Sequence, residues 1–194
     1  MGKNISRGIV CALVALLSVV SSCNVEDEYS TDYLCHFVFY SQYHAGNIIG
    51  GSVNEASMGQ FVKISTTVSG NISYITAELA SGQSEKIAIT SEIETRVFST
   101  YELGAHNALI VGNSIYGGLY AYDGQCPNCL ASYSTTKFPL SWTKDSMVGQ
   151  WVKCSKCGRS YDLNNSGVVA DGDGGLSLLR YRAHFDGNVL NVNN

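Results

Sequence analysis

LYAYDGQCPNC (119–129) and CSKCGRSYDLNNSG (154–167) decide how this chain is read. Each carries a C-x-x-C pair, Cys126 with Cys129 and Cys154 with Cys157, and 24 residues separate the two pairs. A C-x-x-C knuckle puts two sulfurs on one tight turn, where both can point at one ion. Two knuckles supply four soft ligands, and four thiolates close a tetrahedron around zinc or iron. Gly158, directly after the second pair, frees the backbone to curl around a metal.

Outward from the cysteines the chain reads as strands. Leu119–Tyr122 and Ala108–Gly112 flank Gly117-Gly118 and predict a hairpin. Trp151–Lys153 leads into the second pair and Ser160–Leu163 follows it. Leu178–Ala183 and Val189–Val192 close the chain around the turn signal Asp186-Gly187. Upstream, Cys35–Tyr40 is a compact apolar and aromatic run. Phe61–Val68 and Ile72–Leu79 alternate about Ser69-Gly70-Asn71. Ile87–Thr90 and Arg96–Phe98 are further short candidates, and Ser91–Leu103 has room for one or two helical turns. Many short strands punctuated by Gly, Asn and Asp predict an all-β fold, a multi-sheet β-sandwich or barrel with two Cys-bearing loops at 124–131 and 152–160.

The N-terminus reads as an address. Lys3 and Arg7 precede the apolar run Ile9–Val20, and Ser21-Ser22 supplies the small residues that a signal peptidase requires. Twelve residues at about 1.5 Å each span roughly 18 Å, short of a ~30 Å hydrocarbon core. VSSC resembles a bacterial lipobox, with Cys23 as the lipidated residue. The expected organisation is a signal peptide over 1–22, an acidic tether over 23–33 and a β domain over 34–194. Lipid on Cys23 would make the membrane the first partner and place the chain in the cell envelope, at the outer membrane. Export into an oxidising compartment keeps a disulfide reading of the four cysteines open.

Composition narrows the function. The chain has 194 residues, 45% of them apolar and 14% charged, with a formal net charge of −4. An acidic balance offers no field for a nucleic-acid backbone, which removes that partner class. The low charge and ample apolar content argue against a disordered acidic protein. No G-x-S-x-G elbow, P-loop or H-E-x-x-H motif is present, and no acid/base or nucleophile set stands out, so an enzyme is the least supported class.

From about Leu109 onward the chain resembles a Rieske-type iron–sulfur domain. The resemblance runs through LYAYDGQCPNC, CSKCGRSYDLNNSG and LLRYRAHFDGNVLNV (178–192). It places Cys126 and Cys154 at the two Rieske cysteines. Asn128, with Cys129 beside it, falls where the first histidine would be, and Cys157 where the second would be. The histidine pair raises a Rieske potential above that of all-cysteine clusters, and this sequence lacks both. Zinc as a structural replacement, with no open coordination position, is the favoured expectation. A single rubredoxin-like iron or a low-potential 2Fe–2S cluster are the alternatives, and the resemblance implies electron transfer for them. The favoured role is an envelope binding or interaction module with a protein or glycan partner. A metal-free, disulfide-stabilised binding lipoprotein is the remaining alternative.

Weaker features have plainer readings. Asp171-Gly172-Asp173-Gly174-Gly175 lacks the Glu an EF-hand needs and reads as a polar turn, placed where a Rieske domain covers its cluster. His36, His44, His106 and His184 are scattered and suit hydrogen bonding more than metal ligation. Tyr33, Phe37, Phe39, Tyr40 and Tyr43 suit packing, with glycan or protein binding as the alternative for an exposed face. Cys35 is expected to be a buried free thiol.

Overall fold

The computed structural model describes residues 29–143 and 150–194; the expected signal segment and Cys23 lie outside them. The strands are β1 (Cys35–Tyr40), β2 (Phe61–Ser69), β3 (Ile72–Leu79), β4 (Ser84–Ile89), β5 (Glu102–Leu103), β6 (Leu109–Asn113), β7 (Leu119–Asp123), β8 (Leu140–Trp142), β9 (Trp151–Cys154), β10 (Ser160–Asp162), β11 (Val168–Asp171), β12 (Arg180–Phe185) and β13 (Val189–Asn193). Short helices α1 (Ile48–Val53), α2 (Glu92–Phe98) and α3 (Pro127–Ser132) join them. The fold is all-β. A nine-stranded sheet runs β4-β3-β2-β6-β7-β12-β13-β1-β5, and a four-stranded sheet runs β11-β10-β9-β8. Every strand pairing among the described residues is antiparallel, as hairpin-rich sequence with turn residues at each reversal predicts.

The run LIVGN explains how the two sheets are joined. All five residues of β6 are buried, so the strand reads as a continuous apolar segment rather than an alternating one. Leu109 and Val111 face one core, with Val62 and Ile64 of β2, Phe37 and Phe39 of β1 and Ala121 of β7. Ile110 faces a second core with Phe61, Tyr122, Leu140, Val152 and Tyr161. The period-2 alternation therefore feeds both cores from one wall. Residues of β4 (Ile87, Ile89) and of β13 (Leu190, Val192) share the first core, so the long sheet curves around it. The second core contains Cys126, Cys129 and Cys154.

One local reading is corrected, and the last five residues of the expected tether are described. Arg96–Phe98 is the end of α2, not a strand. The Ser91 hydroxyl caps the helix start by accepting from the Glu94 N–H at 3.2 Å, and it donates to Glu94 Oε2 at 2.7 Å. Residues 29–33, expected as tether, are pinned at several points. Ser30 N–H donates to Arg180 O at 2.7 Å, Asn194 Nδ2 donates to Tyr33 O at 2.8 Å, and the Tyr29 ring lies 4.8 Å from the Arg182 guanidinium. Among the described residues no helix is long and apolar enough to cross a membrane.

Candidate metal centre

A buried carboxylate sets the first cysteine loop. Asp123, at the end of β7, is fully buried. Its Oδ2 accepts from Ala105 N–H at 2.7 Å and Tyr181 O–H at 2.8 Å, and its Oδ1 accepts from Gln125 N–H at 2.8 Å. Burial pushes the carboxyl above its usual range, and these three donors pull it back. Gly104 is required beneath it: φ is +65°, and a Cβ there would lie 2.2 Å from Asp123 Oδ2. Gln125 Oε1 then accepts from Phe138 N–H at 2.7 Å. The chain leaves this anchor at Cys126, the N-cap of α3. Pro127 starts the helix where its missing N–H costs nothing, and the first turn brings Cys129 round.

The second loop is a tight turn after β9. Gly158 N–H donates to Cys154 O, and Cys154 N–H donates to Arg159 O, both at 2.9 Å. Gly158 has φ +78°, so the curl expected of this glycine is present and needs the left-handed region.

The four sequence-predicted ligands converge. The Sγ atoms of Cys126, Cys129, Cys154 and Cys157 all lie within 4.8 Å of one another. Cys126 and Cys157 are 3.6 Å apart, and Cys129 and Cys154 are 3.7 Å apart. Zn–S bonds of about 2.3 Å give a tetrahedral edge of about 3.8 Å. All four cysteines are free thiols, at separations far beyond the ~2.05 Å of a disulfide. The donor set therefore fits one metal ion, whereas the disulfide arrangement is not the one adopted. Burial pushes the Cys126 and Cys129 thiols upward. Burial acts the same way on Cys157, but the Arg159 N–H and guanidinium, with the Cys126 and Cys154 thiols, outweigh it and bring this thiol down. Cys157 is also the one half-buried member of the cluster.

Three flanking residues hold the centre. The Tyr161 hydroxyl lies 3.1 Å from Cys126 Sγ. Asn128 Nδ2 donates to that hydroxyl oxygen at 2.9 Å, which leaves the Tyr161 proton to point at the sulfur. Asn128 also donates to Leu176 O at 2.9 Å and accepts from Leu176 N–H at 3.0 Å. Arg159 donates to Asp173 O at 2.8 Å and Gly174 O at 3.3 Å. The glycine-rich turn after β11 is thus tied to residues beside the ligands. Tyr161 and Arg159 as sulfur neighbours were not read from the sequence; an aromatic three residues after Gly158 was the available signal.

The other candidates sit elsewhere. Among the described residues, no histidine joins the four-cysteine group. His44 Nε2 pairs with buried Glu94 at 2.6 Å. Phe37 and Phe39 are core, and Tyr40 stacks on Tyr43 at 5.6 Å. Cys35 is 4% exposed in the first core, and burial pushes its thiol up to about 12. Compared with protein families, with curated proteins and with solved structures, the chain gives no match.

Proposed function

We propose that the four cysteines hold a single structural zinc ion, and that the chain is a lipid-anchored envelope protein with a Rieske-like domain acting as a binding or interaction module. The observation that carries the metal reading is the convergence of four sulfurs, all within 4.8 Å of one another. A 2Fe–2S cluster spreads its four thiolates over two irons bridged by sulfide, and so favours a wider set. Bound zinc would tie the Cys126 and Cys154 loops together, a contribution of about 10–16 kcal/mol in zinc-finger peptides. Four protein ligands leave no open position for an activated water, which favours a staple over hydrolysis.

The Rieske-like assignment rests on two cysteine loops, one after β7 and one after β9, with Tyr161-Asp162-Leu163 beyond the second and a closing hairpin of β12 and β13. Cys157 takes the place of one histidine. Asn128, in the place of the other, turns to Tyr161 and Leu176. The lipid anchor rests on the lipobox-like VSSC ending at Cys23 and the charged, then apolar, segment before it. The membrane, at the outer-membrane level of the envelope, is the proposed first partner.

Metal content and an absorption spectrum, taken on the full-length chain purified anaerobically without added metal, test the centre. One zinc per chain with no visible bands is the expected result. Iron with charge-transfer bands would replace the staple with an electron carrier, and absence of metal with no titratable thiols would replace it with disulfides. For the anchor, Cys23→Ala is expected to move the chain out of the membrane fraction; retention there would overturn lipidation at Cys23.

A further inference from the structure

Among the described residues, one face of the four-stranded sheet packs on the second core, and the other carries the exposed Ser141, Lys153 and Asp171. Leu140, Val152, Cys154 and Tyr161 point into the second core. Strand alternation sends their neighbours to the opposite side. There Ser141 pairs with Lys153, Lys153 with Ser160, and Ser160 with Asp171. These four side chains form one polar row across β8, β9, β10 and β11. Trp151, two residues before Lys153, flanks the row on the same face. A groove of about 510 Å³ follows it, lined by these residues and by Trp142.

We propose that this groove binds a neutral saccharide, with a pyranose ring stacked on Trp151 and its hydroxyls held by the exposed Ser141, Lys153 and Asp171. Three features select that class. The half-buried Trp151 indole offers a flat apolar surface that suits the C–H face of a sugar ring. The row beside it exposes the hydroxyl of Ser141, the ammonium of Lys153 and the carboxylate of Asp171, donors and acceptors that a polyol can satisfy and an apolar ligand cannot. Lys153 Nζ and Asp171 Oδ2 lie 4.0 Å apart, so their charges offset and the groove has no net field to recruit an anion. The inference is independent of which metal the cysteines hold, because the groove lies on the opposite face of the sheet from Cys154.

Trp151 lines the groove and Trp142, packed against the second core, borders it, so intrinsic emission reports on the native groove, and calorimetry reads the Trp151 variants. The full-length chain is titrated with maltotriose, cellotriose and triacetylchitotriose, and with trialanine as a peptide control. A saturable emission change with at least one trisaccharide and none with trialanine is expected. Lys153→Ala and Trp151→Ala are each expected to weaken that binding about tenfold, with Trp151→Phe partly restoring it. Metal content, measured on every sample, is expected to stay at the native value, so that a failed centre and a failed groove are told apart. No saturation by any of the three sugars, equal saturation by trialanine, or unchanged binding in both alanine variants would overturn the proposal.

Discussion

Tyr161 places its hydroxyl 3.1 Å from Cys126 Sγ, and the amide of Asn128 fixes which way its proton points. Tyr161→Phe removes a sulfur hydrogen bond and leaves one Asn128 N–H unpaired, while the ring keeps its place in the core. The expected cost is about 1–3 kcal/mol of stability and faster loss of metal to a chelator. A thermal melt and a colorimetric metal-release assay on the variant check both, and a release rate equal to native would dismiss the sulfur contact as incidental.

The glycine-rich turn makes a steric prediction. A Cβ on Gly175 would lie 2.2 Å from Asn128 Oδ1, and Asn128 is held by hydrogen bonds to Leu176 and Tyr161. Gly175→Ala is therefore expected to break the Asn128–Leu176 pair at a cost of about 1–3 kcal/mol. Gly174→Ala, where nothing lies within 4 Å of the added carbon, is the matched control. Hydrogen exchange at the Leu176 amide should accelerate in the first variant and stay native in the second.

How much of this was legible in the sequence depended on the kind of signal. The CHFVFY run and the Phe61–Leu79 hairpin announced themselves by alternation and a Gly turn, and the cysteine pairs by spacing. Val97 and Phe98 favour strands locally, which makes Arg96–Phe98 a strand candidate, whereas the helical turns that Ser91–Leu103 has room for are what form, at Glu92–Phe98. Helix α1 was hidden by its composition: IIGGSV has two glycines, and its start is set by Asn47 Oδ1 accepting from Gly50 N–H at 2.6 Å. That Ile110 and Leu109 face different cores is a property of the second sheet's placement, which no local pattern encodes.

Buried hydroxyls make the fold sensitive to alkali. Burial raises the pKa of Tyr101, Tyr122, Tyr161 and Tyr181, and that of Cys35 to about 12. In the unfolded chain tyrosine ionises near about 10 and cysteine near about 8.5. Over that range the unfolded chain has lost protons that the native chain retains, so unfolding free energy decreases as pH rises. The stability from these groups is intact below about pH 8 and is lost progressively as pH climbs toward their folded values. Urea midpoints measured at about pH 7.5, 9 and 10.5 should fall in that order; a flat or rising series would contradict the burial of these groups.

Two buried thiols, Cys129 and Cys35, separate metal binding from core packing. Cys129 is 2% exposed and lies 3.7 Å from Cys154 Sγ; Cys35 is 4% exposed and belongs to the other core. Serine in either position places a hydroxyl in an apolar setting, at a cost of about 1–3 kcal/mol. If packing were the whole role of these cysteines, the two variants would lose stability alike. With a four-thiolate centre, Cys129→Ser loses a ligand as well. Metal content should fall sharply in that variant, and its melting temperature should drop to near that of the chelated native chain. Cys35→Ser should keep native metal content and melt only modestly earlier. Native metal content in Cys129→Ser, measured beside Cys35→Ser, would sink the four-thiolate site, because the remaining three sulfurs would then suffice.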